Sequence, residues 1–294
     1  MTVWFITGSS RGFGRELVSA ALDAGDRVVA TARNPESLAD LVARGGGDVL
    51  PVPLDVTDPA AARAAFEAGI QYFGRIDVVV NNAGYANVAP IESGDEADFR
   101  AQFDTNFWGV YHVSRAAIPY LRAQGGGTIV QFSSVGGRVG GSPGIASYQA
   151  AKFAVDGFSR VLAVETAPFG IRVMVVEPSG FATDWAGASM TVHDVPDEYD
   201  ATVGEFNRRV RGSGAVAAGD PARAAQIIVA TATREHVPSH LLVGVNAVDL
   251  ALDYSAAQLR QATAWAAVGR SADYGQPFPV AFPPDADPAA AVGF

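Results

Sequence analysis

Tyr148 and Lys152 stand four residues apart. A helix turns every 3.6 residues and rises about 1.5 Å per residue, so such a pair shares a face wherever the chain is helical. Tyrosine alone is a poor acid or base at neutral pH, with a pKa near 10. An ammonium held beside it favours the phenolate, and a shift of three units needs roughly 4 kcal/mol of differential interaction. A tyrosine tuned in this way can give a proton to a developing alkoxide or take one from an alcohol. The pair alone is commonplace, and its lysine usually lies in solvent, so the rest of the chain must support the chemistry. The run 150–158 reads as helix and follows a segment, 135–144, that holds five glycines.

The bulk composition sets bounds. The chain has 294 residues, 49% hydrophobic and 18% charged, enough apolar content for a substantial core and too little charge for a disordered or coiled-coil chain. A net charge of −10 and a pI near 4.8 argue against sequence-independent binding to nucleic acid or an anionic membrane. The absence of cysteine excludes disulfides, thiolate nucleophiles and iron–sulfur clusters. The four histidines show no metal spacing, and no catalytic metal is expected. The first ten residues hold no basic side chain, and no apolar run approaches the roughly 20 residues a bilayer span needs. The expectation is a cytoplasmic protein.

The elements that must position the pair follow from the start of the chain. Residues 2–7 form an apolar run of strand type. Gly8, Ser9, Ser10, Arg11, Gly12, Phe13 and Gly14 follow, and then a helix over 15–24. Strand, glycine turn and helix make a dinucleotide site: glycine lets a phosphate approach the backbone, and the helix start offers free N–H groups. Residues 27–32 form a second strand. Nineteen residues beyond Gly14 stands Arg33, where dinucleotide folds place either an acidic residue for a ribose 2′-hydroxyl or an arginine for a 2′-phosphate. With Arg11 nearby and no carboxylate at Ala32 or Arg33, NADP(H) is expected in preference to NAD(H), although both arginines also suit an ordinary surface. Further strands are predicted at 48–54, 76–80, 127–132, 171–177 and 240–245. Helices are predicted at 35–44, 58–73, 99–123 and 220–234, with Asp58 as an N-cap before Pro59. This alternation predicts an α/β fold, a doubly wound parallel sheet with helices on both faces and ligands at the carboxyl ends of its strands. Asp55 ends one strand and can reach an adenine amino group or serve a turn; Asn82, Ala83 and Gly84 follow another.

With these residues assembled, the chain resembles the short-chain dehydrogenase/reductase family. Thr7 to Gly14 match its TGxxxGxG pattern, Asn81 to Gly84 its NNAG, and Tyr148 to Lys152 its YxxxK, with Asn106 and Ser134 at family spacing. The resemblance spans about residues 2–245. It implies a Rossmann-type domain that transfers a hydride between a nicotinamide and a carbonyl or secondary alcohol. It implies that Tyr148 is the general acid or base, that Ser134 binds the substrate oxygen, and that Lys152 lowers the tyrosine pKa and contacts the nicotinamide ribose. Asn106 would order a water in a proton relay. Asp55 and Val56 would hold the adenine, Asn82, Ala83 and Gly84 the adenosine ribose, and Pro178, Gly180 and Thr183 the nicotinamide amide and phosphates. Two features depart from the family: Ser179 separates Pro178 from Gly180, and the loop before Tyr148 is about one residue longer than the commonest form. Ser133 is the alternative to Ser134 if the register slips.

The domain organisation expected is a catalytic domain over 1–245 and a C-terminal helix and proline-rich tail over 246–294. The segment 184–219 has no clear period and is expected to be the substrate lid. Its Trp185, Met190, Tyr199 and Phe206 suggest a fairly hydrophobic carbonyl or alcohol, or simply pack the lid down; His193 there is a weak candidate ligand or base. The tail is either disordered or an arm over the domain or a neighbour. The resemblance implies a homodimer or homotetramer. A dinucleotide-binding sensor that does no chemistry is the alternative function, and proteins of that kind generally lack the Tyr–Lys pair.

Overall fold

The computed structural model describes residues 1–181, 190–212 and 219–283. Seven parallel strands form one sheet in the order β3-β2-β1-β4-β5-β6-β7. They are β1 (Val3–Ile6), β2 (Arg27–Ala32), β3 (Val49–Pro53), β4 (Val78–Asn81), β5 (Gly127–Phe132), β6 (Ile171–Pro178) and β7 (His240–Val243). This is the doubly wound sheet that the sequence predicts. The strand order reverses between β1 and β4, whose register pairs Trp4 with Val78, and a crevice opens there at the carboxyl ends.

Alternation along each strand feeds two separate cores. Trp4 and Ile6 face one side with Leu17 and Val18 of α1 (Gly12–Asp23), Leu41 of α2 (Ala39–Gly45), and Ile228 and Val229 of α9 (Pro221–Ala232). Val3 and Phe5 face the other. They meet Phe66 of α3 (Pro59–Phe73), Val113 and Leu121 of α5 (Gly109–Ala123), and Leu162 of α7 (Ala146–Thr166). Burying both faces explains why these strands read as near-continuous apolar runs. Asp58 caps α3 as expected, accepting from the Ala60 N–H at 2.7 Å, and Asp220 caps α9 in the same way.

Two local features depart from the sequence reading. The helix expected over 99–123 is three pieces: α4 (Glu96–Phe103), a π turn at Asp104–Trp108 and α5. The π turn inserts one wide turn, and it carries Asn106. The helix bearing Tyr148 begins at Ala146, so the tyrosine lies inside its first turn. Beyond β7, α10 (Val245–Ala264) and α11 (Ala266–Arg270) are followed by residues 271–283 without helix or strand. In that stretch Phe282 meets the Trp265 ring at 6.2 Å.

Candidate active site

The glycine turn is fastened to the end of β4. Thr7 Oγ1 donates to Val80 O and accepts from the N–H groups of Asn82 at 2.9 Å and Ala83 at 3.0 Å. Asn82 Nδ2 donates to Thr7 O and Gly8 O, so its side chain buttresses the turn. Gly8 has φ +68°, a left-handed conformation that glycine adopts without strain. A side chain on Gly14 would overlap Gly8 O, so this glycine lets helix and turn close on each other. Gly14 is buried and does not face the cleft. The first turn of α1 holds no acidic residue and has no side-chain cap, unlike α3 and α9. Its amino end keeps free N–H groups for an anion, and the residues present fit a dinucleotide phosphate.

A cleft of about 1770 Å³ runs along the strand ends. Gly8, Ser10, Arg11, Gly12, Phe13, Arg33, Asp55, Val56, Asn82, Ala83, Gly84, Ser134, Tyr148, Lys152, Pro178 and Gly180 all line it. Phe13 also packs behind the turn, 4.9 Å from the Phe181 ring and 5.6 Å from Phe132. Arg11 and Arg33 are exposed, and among the described residues neither guanidinium forms a hydrogen bond or an ion pair, although the Arg33 charge helps to lower the Asp55 carboxyl. Asp55 Oδ1 accepts from the Thr57 N–H at 2.9 Å and its hydroxyl at 2.7 Å. That backbone hydrogen bond is the main cause holding its carboxyl below the usual range. Thr183 lies outside the described residues.

The floor of the cleft brings three of the four expected catalytic side chains together. Ser134 Oγ accepts from the Gly136 N–H at 3.0 Å and is hydrogen-bonded to Tyr148. Ser133 is buried, and its hydroxyl donates to Lys152 O at 3.0 Å, so geometry favours Ser134. Lys152 Nζ donates to Phe132 O at 2.7 Å and lies 5.6 Å from the centre of the Tyr148 ring. Burial pushes the Tyr148 phenol up to about 12, opposed by the Ser134 hydrogen bond. Burial also brings the Lys152 ammonium down to about 8. The expected lowering of the tyrosine is therefore not found in the protein alone. Desolvation dominates for both groups, because each charged form has left water.

Asn106 stands apart from the other three. It is fully buried below the cleft rather than lining it. Its Nδ2 donates to Tyr85 O and Gln102 O, both at 2.8 Å, and its Oδ1 accepts from the Tyr85 N–H. With both amide hydrogens spent on backbone carbonyls, the side chain holds the backbone of this segment in place. A side chain on Gly84 would overlap Asn106 Oδ1 and lie 3.5 Å from Lys152 Nζ, which is why the backbone can pass between them only at glycine.

At the other end of the cleft, Ser179 extends the pairing of β6 with β7 through its N–H to Val243 O at 3.1 Å. The residue that interrupts Pro178-Gly180 thus adds a rung to the sheet. Sequence reasoning missed the ion pair below it. Arg138, on the short helix α6 (Gly136–Val139), pairs with Glu177 at 2.9 Å, and Glu177 is 1% exposed. A carboxylate at the end of an otherwise apolar strand was the available signal. The pair joins α6, the short helix after Ser134, to the carboxyl end of β6.

The described residues of the segment expected to be a lid pack onto Tyr148. Met190, Val203 and Phe206 form an apolar cluster with Ala86, Val88, Ile145 and Tyr148, flanked by Tyr199. Phe206 is on the π turn and helix run ending in α8 (Glu205–Gly212). Trp185 lies outside the described residues. Among the described residues no three His, Asp or Glu side chains cluster as metal ligands would, and no helix is long and apolar enough to cross a membrane.

Comparison with known proteins places this geometry among relatives. The short chain dehydrogenase profile matches residues 2–192. Oxidoreductase BOA17 of Botryotinia fuckeliana is 51% identical over 250 residues, which are 85% of this chain and 91% of that protein. The crystal structure of a short-chain dehydrogenase from Streptomyces avermitilis superposes with a TM-score of 0.85 at 36% identity, covering 93% of this chain and all of that one. A 3-ketoacyl-(acyl-carrier-protein) reductase from Brucella melitensis, solved with NADH, matches with a TM-score of 0.68 at 26% identity, over 81% of this chain and 94% of that one.

Proposed function

The chain belongs to the short-chain dehydrogenase family and is an oxidoreductase, and from that premise we propose that it reduces a carbonyl group, or oxidises the corresponding secondary alcohol, with NADP(H). The observation that carries the reading is the Ser134–Tyr148 hydrogen bond at the floor of the cleft, with the buried ammonium of Lys152 beside it.

When bound, the nicotinamide supplies or accepts the hydride. The protein's part is to hold the reactants and move one proton. The glycine turn and the uncapped start of α1 hold the dinucleotide phosphates, Asp55 and Val56 hold the adenine, and Asn82 to Gly84 and Lys152 hold the two riboses. Ser134 and Tyr148 offer two O–H donors to the substrate oxygen, where charge develops in reduction. A phenol held near 12 is protonated throughout the neutral range, so Tyr148 is ready to donate. The phenolate it leaves is stabilised by Lys152 while that lysine keeps its charge, up to about pH 8. The lid cluster around Tyr148 favours a fairly hydrophobic substrate.

The preference for NADP(H) rests on Arg11 and Arg33, which border the cleft with no ion-pair partner among the described residues. A guanidinium suits a 2′-phosphate. The NADH in the Brucella reductase makes the opposite preference the natural contrary result. Nicotinamide fluorescence titration with NADPH and NADH tests this directly: tighter NADPH supports the reading, and tighter NADH overturns it. A carbonyl panel followed by loss of NADPH absorbance then tests turnover. Binding without turnover of any carbonyl would favour a sensor. We also propose assembly into a homodimer or homotetramer through α5 and α7, where Phe153, Val161 and Val164 are exposed; light scattering of the purified protein decides it.

A further inference from the structure

Asp98, on α4, is the meeting point of three segments that the proposed chemistry leaves unexplained. Its carboxylate accepts from Asn87 Nδ2 at 2.6 Å, from the loop after β4. It accepts from Gln102 Nε2 at 2.9 Å, one turn along its own helix. Its third partner is His193 Nε2 at 3.2 Å, from the lid. A carboxylate only accepts, so the histidine hydrogen sits on Nε2. Both amide groups are used at their other ends as well. Gln102 Oε1 accepts from the Asn87 N–H at 2.8 Å, and Asn87 Oδ1 accepts from the Thr191 N–H at 2.9 Å.

The backbone continues the connection. Val88 donates to Thr191 O and accepts from the His193 N–H, both at 2.9 Å, so a two-residue parallel bridge lays the lid along the loop after β4. On the inner side, Gln102 O accepts from Asn106, which holds Tyr85 beside Gly84. Asn87, Gln102 and Asn106 are all at least nine-tenths buried, and buried amides are costly to leave unpaired. The connection therefore holds as a unit or opens as a unit.

We propose that Asp98 is a positioning residue that fastens the substrate lid to the helix carrying Asn106, making lid docking and the shape of the cleft floor one cooperative element. His193 is the lid's half of that fastening. Through it Met190 and Phe206 are kept over Tyr148, so its release weakens substrate binding while the glycine turn is left untouched. The kinetic consequence rests on the carbonyl-reductase reading; the lid consequence does not.

The test uses the full chain with D98N, H193L, H193Q and the double variant D98N/H193L. Hydrogen exchange at the amides of residues 88 and 191–193 reads lid docking without any substrate. D98N and H193L are each expected to speed that exchange at least tenfold and to raise the substrate KM about tenfold, with kcat changing less and NADPH affinity within twofold. H193Q, which restores a donor, should recover part of the loss, and the double variant should be no worse than D98N alone. Unchanged exchange in both single variants, additive effects in the double, or NADPH affinity falling in step with KM would each overturn the proposal. If the wild type turns over no carbonyl, the catalytic reading fails while the exchange experiment still decides the fastening.

Discussion

The two sides of the cleft are built on different principles. The cofactor side is made from strand ends and the turns that follow them. Its geometry is local: Thr7, Gly8, Asn82 and Ala83 are tied by short hydrogen bonds to one another, over a sheet buried on both faces. The substrate side is made by a long segment laid across the floor, held by an apolar cluster around Tyr148 and a polar network around Asp98. The first side is a rigid consequence of the sheet. The second depends on contacts between residues about a hundred positions apart, and it is the side free to vary with the substrate.

Removing the phenol should separate the two sides most sharply. For Y148F, turnover is expected to fall by about three orders of magnitude or more, the upper range for losing a positioned acid. NADPH affinity, read by fluorescence, should stay within about twofold. Equal loss of both would mean the tyrosine shapes the cofactor side as well.

The Arg138–Glu177 pair spans both sides, joining α6, the short helix after Ser134, to the carboxyl end of β6. R138L leaves a carboxylate that is 1% exposed without its partner, and breaking a buried pair in this way costs about 3–5 kcal/mol. Chemical denaturation should show that loss, and it should shrink in the double variant R138L/E177L.

Lys152 offers a pH test. Its folded pKa of about 8 lies below the usual lysine value of 10.5, so the folded state holds the proton less tightly than the unfolded one. Below about 8 both states are charged and the folded state carries the whole desolvation cost, on the order of 3 kcal/mol. Between about 8 and 10.5 the unfolded state binds more protons, and stability rises with pH. The stability of wild type relative to K152M should therefore be lowest below about pH 8 and rise across that window in pH-dependent denaturation. In the same range kcat/KM for reduction should fall above about 8, as the charge that stabilises the phenolate is lost.

The arginines test the cofactor side alone. R33A is expected to weaken NADPH by about tenfold or somewhat more, as loss of a charge-assisted hydrogen bond implies, with NADH within about twofold. The smallest effect is expected for D58A, which removes the α3 cap far from the lid. It should cost about 1 kcal/mol in thermal stability and leave KM unchanged.

The strand, turn and helix that open the sheet were legible because their signals are local in the chain. A strand, a glycine turn and a helix start declare themselves within a dozen residues, and Asp58 before Pro59 declares a cap. Even there, Gly14 belongs to the motif yet serves packing, since a spacing pattern does not say which glycine faces the ligand. Asn106 was found by resemblance, but neither its π turn nor its complete engagement by Tyr85 and Gln102 leaves any periodic trace. Glu177 finding Arg138, and His193 finding Asp98, are meetings in space between segments far apart in sequence. The burial of the pair was illegible for a related reason: spacing shows that Lys152 is near Tyr148, but only the fold shows how far both have been withdrawn from water.

The reversal of strand order between β1 and β4 also has a consequence for biosynthesis. β1 is an interior strand, and its partner at Val78 emerges from the ribosome some seventy residues after it. Until then β1 has a bare edge, and the glycine turn lacks the Asn82 and Ala83 contacts that shape it. A nascent chain therefore cannot complete the nucleotide cradle when its glycine turn emerges, because the contacts from Asn82 and Ala83 are still to come. Such long-range parallel pairing folds slowly, and cofactor capture must wait for the strand that seals the crevice.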